Sequence, residues 1–214
     1  MINIVCVLKC KNSLIYNEEW VYKLERSIAR NLSIPYKFIC LTDTELTSEY
    51  ALLDENFEGW WNKLQLFKPG LFIKETLYFD LDVIITKPLD DLIKNIRQSK
   101  VRFLMCKELS GTDNSSIMYW KGSKSSLYKK YIKNPTYYQE KYKDLPLLGD
   151  QAFISKNIKH GFIEDYLPVN YIAWTDAVSL NNTDETGLVV FTSIKSKPSK
   201  STFINHPIIK NHWI

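Results

Sequence analysis

The sequence predicts an α/β domain in which helices flank a mostly parallel central sheet. Three observations carry the prediction. Short β-branched runs at Ile2–Leu8 and Tyr36–Leu41 enclose an amphipathic stretch that starts at Asn17. Strand, helix, strand in that order implies a right-handed βαβ unit and parallel pairing. A later apolar run, Thr76 to Leu89 (TLYFDLDVIITKPL), holds two carboxylates, Asp80 and Asp82, inside a core-like segment. The 214 residues, 45% of them apolar, suit one domain with a substantial core and argue against disorder.

Taken in order, Ile2–Leu8 is continuous enough for a strand buried on both faces. Asn17 suits the N-cap of the following helix, with Glu18 and Glu19 at its positive end and Trp20, Leu24 and Ile28 as its buried stripe. Pro35 separates this helix from the second strand, which ends at Thr42 and Asp43. The segment EGWWNKLQLFKPG reads as a short helix with Trp60, Leu64 and Phe67 on its buried face and a Pro69-Gly70 stop. Leu89, Leu92, Ile93 and Ile96 mark a further amphipathic helix, and Val101–Cys106 another buried strand. Asn114–Trp120 begins polar and ends apolar, as a strand facing a cleft would. Lys121–Lys143, broken at Pro135, reads as one or two surface helices; Gly149-Asp150-Gln151 opens a helix over Ala152–Ser155. Tyr166–Trp174 and Gly187–Phe191 are the remaining strands, and the apolar residues of FINHPIIKNHWI predict a tail that docks. No repeat, low-complexity tract or linker divides the chain, so it is read as one domain over 1–214, with halves at 1–113 and 114–214.

Composition excludes more than it identifies. A formal charge of +4 permits an anionic substrate without requiring a nucleic-acid surface. Cys6, Cys10, Cys40 and Cys106 form no CxxC pair and three lie in strands, so they read as free thiols rather than a disulfide frame or zinc site. The N-terminus lacks signal-peptide features and no apolar run reaches about 18 residues. A soluble, cytoplasmic protein is the expectation.

In parallel sheets, ligands bind at the carboxyl ends of the strands: here Leu8–Cys10, Thr42-Asp43 and the Asp80/Asp82 pair. On a strand, Asp80 and Asp82 point to one face, and buried carboxylates need a compensating partner. A divalent cation is such a partner, since hard oxygen ligands suit Mg²⁺ and Mn²⁺. Two chemistries use this arrangement: metal-assisted handling of a nucleotide diphosphate, and a phosphatase of the haloacid dehalogenase type. FDLDVII fits the phosphatase nucleophile motif locally, but that motif usually ends the first strand, whereas two strands precede it here. Gly149-Asp150 also lacks the acidic partner four residues on.

The chain resembles small glycosyltransferases of the GT-A fold, closest to the family 8-like retaining enzymes. The Thr76–Leu89 stretch is similar to their DxD strand, and Lys63, 17 residues before Asp80, stands where they carry a basic residue. Asn114-Ser115-Ser116 resembles their Asn-Ser/Ala motif on the acceptor side, and Gly149-Asp150-Gln151 their Asp-Gln motif beneath the donor sugar. A DxD alone is weak; four motifs in order within one short chain are strong. The resemblance implies a GT-A, Rossmann-like fold and transfer of a sugar from a nucleotide sugar, UDP-linked, to an acceptor hydroxyl, with retention. It implies Mn²⁺ or Mg²⁺ held by Asp80 and Asp82, and a positive charge from Lys63 near the phosphates. Leu8, Lys9, Cys10, Thr42 and Asp43 would meet the nucleotide, and Asn114 and Ser115 line the donor side. Asp150 would bind sugar hydroxyls, and Gln151 would lie near the anomeric carbon.

The third metal ligand departs from the pattern. The family's Phe-His-Gly…Lys-Pro segment corresponds to Phe191-Thr192-Ser193…Lys197-Pro198, with Thr in place of His. His206 is the first candidate to replace it and His212 the second; Lys197 or Lys210 would instead touch the diphosphate. The acceptor is a glycan, a lipid-linked sugar or a hydroxylated base in modified DNA, the last because Lys121–Lys143 is rich in Lys and Tyr. A non-catalytic nucleotide-sugar binding module is the remaining rival; the intact Asp80, Asp82 and Asp150 count against it.

Overall fold

The computed structural model describes all residues except 12, 14, 54–56, 109, 145–147, 176–185, 192–197 and 199–204. The βαβ start is as expected. β1 (Ile2–Leu8) pairs in parallel with β2 (Tyr36–Thr42), and α1 (Glu18–Asn31) crosses between them. β1 is buried on both sides because its residues alternate between two apolar layers. Ile2, Ile4, Cys6 and Leu8 join Trp20, Val21, Leu24 and Ile28 of α1, whereas Val5 joins the layer on the opposite face.

A short parallel edge strand, β3 (Tyr50–Leu52), which the sequence did not reveal, pairs with β2. On the other side of β1 runs β4 (Thr76–Phe79), parallel to it. The seven-stranded sheet is completed by β6 (Phe103–Lys107), β7 (Asp113–Trp120) and β8 (Gly161–Phe162), in the order β3-β2-β1-β4-β7-β6-β8. β7 is antiparallel to both β4 and β6, and the other pairings are parallel. Because β7 pairs with β4, the sheet runs unbroken across position 113. β5 (Ile84–Ile85), β9 (Ile172–Trp174) and β10 (Leu188–Val190) form a second, three-stranded sheet.

Three expected elements differ: Tyr166–Trp174 is a strand only over Ile172–Trp174, its start being the end of a 3₁₀ turn (Glu164–Tyr166), and the other two differ for physical reasons. The acidic stretch is not one strand: β4 stops at Phe79 and the backbone turns at once, with Val83 N–H donating to the Asp80 carbonyl at 3.2 Å. Asp80 and Asp82 therefore do not share a strand face. A strand covered on both sides has no room for two ionised side chains, and the turn carries them to the sheet's rim. The third correction concerns the segment after β3, a 3₁₀ helix over Gly59–Phe67. At three residues per turn, Trp61, Leu64 and Phe67 form one row, and all three are buried. Trp60, expected in that stripe from α-helical spacing, is instead 50% exposed and shares its row with Lys63.

The remaining helices follow the sequence closely. α2 (Asp90–Ile96) buries Leu92, Ile93 and Ile96, and α3 (Ser125–Tyr131) and α4 (Pro135–Lys141) divide at Pro135. α5 (Gly149–Asn157) carries the Asp-Gln pair in its first turn. α6 (Pro207–His212) docks: Ile208 and Ile209 pack on Ile84 and Val189 of the second sheet and on Phe191, just past β10. Arg30, Lys23 and Arg26 of α1 donate to the carbonyls of His212, Trp213 and Ile214. Cys6, Cys40 and Cys106 are buried free thiols, and Cys10 is a partly exposed one.

Candidate active site

The parallel strands β1, β2 and β4 end on one side of the sheet, and antiparallel β7 begins there. Asp80 N–H donates to the Ser116 carbonyl at 2.7 Å, which fixes the end of β4 against the start of β7. Above this junction four predicted residues meet. Lys63 Nζ lies 2.9 Å from Asp80 Oδ1, 3.1 Å from Ser115 Oγ and 3.5 Å from Asp150 Oδ2. The Ser115 hydroxyl donates to Asp150 Oδ2 at 2.7 Å, and the Tyr78 hydroxyl to Asp80 Oδ1. The sequence brings these groups from the 3₁₀ helix, the β4 end, the β7 start and the first turn of α5, where the helix's positive end favours Asp150.

Burial sets the electrostatics of this cluster. The side chains of Lys63 and Asp150 are 14% and 7% exposed. Burial alone would lower the Lys63 pKa, but Asp150 and then Asp80 outweigh it and hold the ammonium above its ordinary value. Burial dominates at Asp150, whose carboxyl is raised although Lys63 and the Ser115 hydrogen bond oppose the shift. Tyr78 is pushed well up by burial and by the Asp80 charge. This phenol is therefore a fixed hydrogen-bond donor to Asp80.

Asp82, 2% exposed, accepts a hydrogen bond from the Tyr16 hydroxyl at 3.3 Å. Tyr16 is held by an edge contact to Trp20 (centroids 4.9 Å apart), and Trp20 by a second edge contact to Trp213 (4.8 Å). The docked tail thus reaches the acidic turn through three aromatic rings. Neither Tyr16 nor Tyr78 was singled out in the sequence. Tyr78 had a usable signal, since residues two apart on a strand share a face; Tyr16 had none.

At the β1 and β2 ends, Asp43 is the organiser. Its carboxylate accepts from the backbone N–H groups of Cys10 (2.7 Å) and Lys11 (3.1 Å) and pairs with Lys9 Nζ at 3.2 Å. Burial opposes ionisation there, but these donors outweigh it and lower the Asp43 pKa. Leu8 and Thr42 are paired across the strands and buried beneath this loop.

Several expected residues are not gathered. Asn114, 5% exposed, is spent on local structure: its Oδ1 accepts from Ser116 N–H and its Nδ2 donates to Glu108. Gln151 lines a shallow groove of about 210 Å³ with Gly111, Thr112, Asp113, Ala152, Ser155 and Lys156. The larger concavity, about 430 Å³, lies along α4 and shares no residue with the cluster. His206 caps α6, its Nδ1 accepting from Ile208 N–H, and Lys210 is exposed on that helix. The His212 carbonyl binds Arg30, and its imidazole pKa is lowered by burial and by the Arg30 charge. Lys197 lies outside the described residues. Among the described residues no three His, Cys, Asp or Glu side chains converge as a metal cage.

No protein-family model matches the sequence, and a search of curated proteins finds no relative. Solved structures do match. The galactosyltransferase LgtC, solved with donor and acceptor sugar analogs, is 12% identical with a TM-score of 0.65 over 97% of this chain and 93% of its own. An active-site mutant of LgtC, with a glutamine changed to glutamate, is similar to the same degree (13% identity, TM-score 0.66, the same coverage). The glycosyltransferase GlyE of Streptococcus pneumoniae TIGR4 is 14% identical with a TM-score of 0.66, over 92% of this chain and 56% of that one. This chain has the α/β fold of these GT-A glycosyltransferases. At such identities the likeness concerns the fold.

Proposed function

We propose that this protein transfers a sugar from a nucleotide-sugar donor, UDP-linked, to an acceptor hydroxyl. One observation carries the reading: Lys63, Asp80, Ser115 and Asp150 interlock at the carboxyl ends of the parallel strands of a GT-A fold. A ligand site is expected at that rim. The cluster also supplies what the reaction needs: a cation beside a diphosphate, and carboxylates beside sugar hydroxyls.

In this reading the nucleotide enters over the β1 and β2 ends, where Asp43 orders Lys9 and Cys10. Lys63 faces the diphosphate and counters the charge that grows on it as the glycosidic bond breaks. Asp150 holds sugar hydroxyls, and Gln151 lies toward the anomeric carbon and the acceptor groove. With retention, the bond from the anomeric carbon to phosphate oxygen breaks as the acceptor oxygen bonds to the same face. The departing diphosphate takes the acceptor proton.

The two carboxylates of the turn fit a hard divalent cation, Mn²⁺ or Mg²⁺. Both are oxygen donors on one short turn, and the phenols of Tyr16 and Tyr78 orient them. Asp80 and Asp82 would hold the ion. Bound there, it would neutralise leaving-group charge.

The test is a panel of UDP- and GDP-sugars with Mn²⁺, followed by nucleotide release. Asp82→Asn is expected to abolish metal-dependent turnover. No release from any donor, together with no metal-dependent nucleotide binding by calorimetry, sinks the enzyme reading. Phosphate release from simple phosphomonoesters would point to the phosphatase chemistry instead.

A further inference from the structure

The sequence pattern puts Trp60 in the core, and the structure turns it outward. It is 50% exposed, while the adjacent Trp61 is 7% exposed and stacked on Tyr131 with centroids 5.0 Å apart. Two features place its indole at the mouth of the acidic cluster. Along the 3₁₀ helix it stands one turn before Lys63, and at three residues per turn the two side chains lie one above the other. Its ring edge also rests on the backbone of Gly149, the residue before Asp150. A Cβ at Gly149 would fall 2.7 Å from Trp60 Nε1 and 3.0 Å from Cε2. Gly149 is thus restricted twice, by a left-handed φ of +65° and by the ring against it. An indole seated on bare backbone is fixed in place, yet much of its surface is open to water.

A rigid, half-open indole at the mouth of a cluster that holds Asp150 has a definite chemical complement. Its face offers apolar area and a negative quadrupole to the C–H groups of a pyranose ring, while the cluster offers hydrogen-bonding groups to the hydroxyls. We infer that Trp60 is a stacking platform for a pyranose ring at the mouth of the cluster. The inference rests on the glycosyl-transfer reading for its ligand class. The ring belongs to the donor sugar or to a sugar acceptor, the chemistry being the same for both. It is not a nucleobase platform, because the base enters over the β1 and β2 ends.

Direct binding tests this without requiring turnover, so failure of the platform is distinguishable from failure of the enzyme reading. Methyl glycosides of glucose, galactose and N-acetylglucosamine are presented to the full chain and followed by saturation-transfer NMR, with UDP affinity measured in parallel by calorimetry. Trp60→Ala is expected to weaken the bound glycoside about tenfold and to leave UDP affinity unchanged. Trp60→Phe should recover part of the loss. Gly149→Ala, which pushes the ring away, should reproduce it. Where a donor supports transfer, a raised donor KM in Trp60→Ala assigns the ring to the donor sugar, and a raised acceptor KM assigns it to the acceptor. Equal glycoside binding in wild type and Trp60→Ala, absence of glycoside binding in wild type, or a parallel fall in UDP affinity overturns the proposal.

Discussion

Lys63→Met is the substitution that the cluster's geometry specifies most sharply. It keeps much of the apolar stem and deletes a charge lying 2.9 Å from Asp80 and 3.5 Å from Asp150, in a side chain only 14% exposed. Removing one member of a buried ion pair costs ~3–5 kcal/mol, because the partner charge is stranded. For a chain of this size that corresponds to roughly 6–20 °C in Tm. The pH dependence makes the claim specific. Burial already raises the Asp150 carboxyl, and Lys63 is the first of the groups opposing it. Without Lys63 it rises further, so folded Asp150 binds its proton more tightly than unfolded Asp150. A carboxyl raised in this way contributes most at low pH, and the contribution is lost as pH climbs through the folded pKa. Lys63→Met should therefore be most destabilised near about pH 8 and least near about pH 5. Adding Asp150→Asn should recover a large part of the loss, as coupled neighbours do in a double-mutant cycle. Urea unfolding of the four proteins at both pH values checks it. A penalty that is equal at both pH values and additive with Asp150→Asn would mean that the loss comes from local repacking and not from the charge of Lys63.

Three further substitutions probe the surrounding frame. Burial pushes Glu164 from 4.5 up to about 7, so wild-type stability should fall as pH rises through that interval; Glu164→Gln should flatten the slope by about 1–3 kcal/mol, read from Tm against pH. Gly149→Ala places a β-carbon at φ +65° and 2.7 Å from the Trp60 ring. It should cost about 1–3 kcal/mol in urea unfolding, part of which returns in the Gly149→Ala/Trp60→Ala double variant. Trp213→Ala removes the ring that meets Trp20 at 4.8 Å and lies 4.2 Å from Lys23 Nζ. A loss of about 2–3 kcal/mol is expected, with amide exchange in α6 rising before that of the main sheet.

The sequence carried the frame of the molecule further than its details. β1, α1, β2, α2, α3 and α4 were legible because each is set by local pattern: β-branched runs, a four-residue apolar stripe, or a proline at a helix start. β3 was not, being three residues long and defined only by its pairing with β2. The 3₁₀ helix was misread because its period is three, a distinction that a nine-residue segment barely encodes. That one misreading exchanged Trp60 for Trp61 in the core. The acidic pair was located correctly but described as one strand, since alternation says nothing about where a strand stops. Ser115, Asp150 and Lys63 were singled out through their motifs, and the fold brings them together. Tyr16 escaped because its link to Asp82 spans 66 positions and leaves no local trace.

The cluster also implies an order to its own assembly. Lys63 is held by the same carboxylate, Asp80, that the proposed cation would use, so the ammonium and the cation compete for Asp80. Like charges repel, and a divalent ion at Asp80 and Asp82 would weaken the hold on Lys63 and free its ammonium to meet a diphosphate. Metal and nucleotide would then bind cooperatively, and each would tighten the other by the same factor. In wild type, UDP affinity measured by calorimetry should rise about 5–150-fold on adding Mn²⁺ and return to its metal-free value on chelation. In Lys63→Met, Asp80 and Asp82 would still hold the ion, but the part of the gain that came from releasing the lysine would be gone, and the Mn²⁺ effect on UDP should shrink. An undiminished effect in Lys63→Met would mean that the lysine keeps its partners throughout, and that it serves to brace Asp80 and Asp150 rather than to receive the donor.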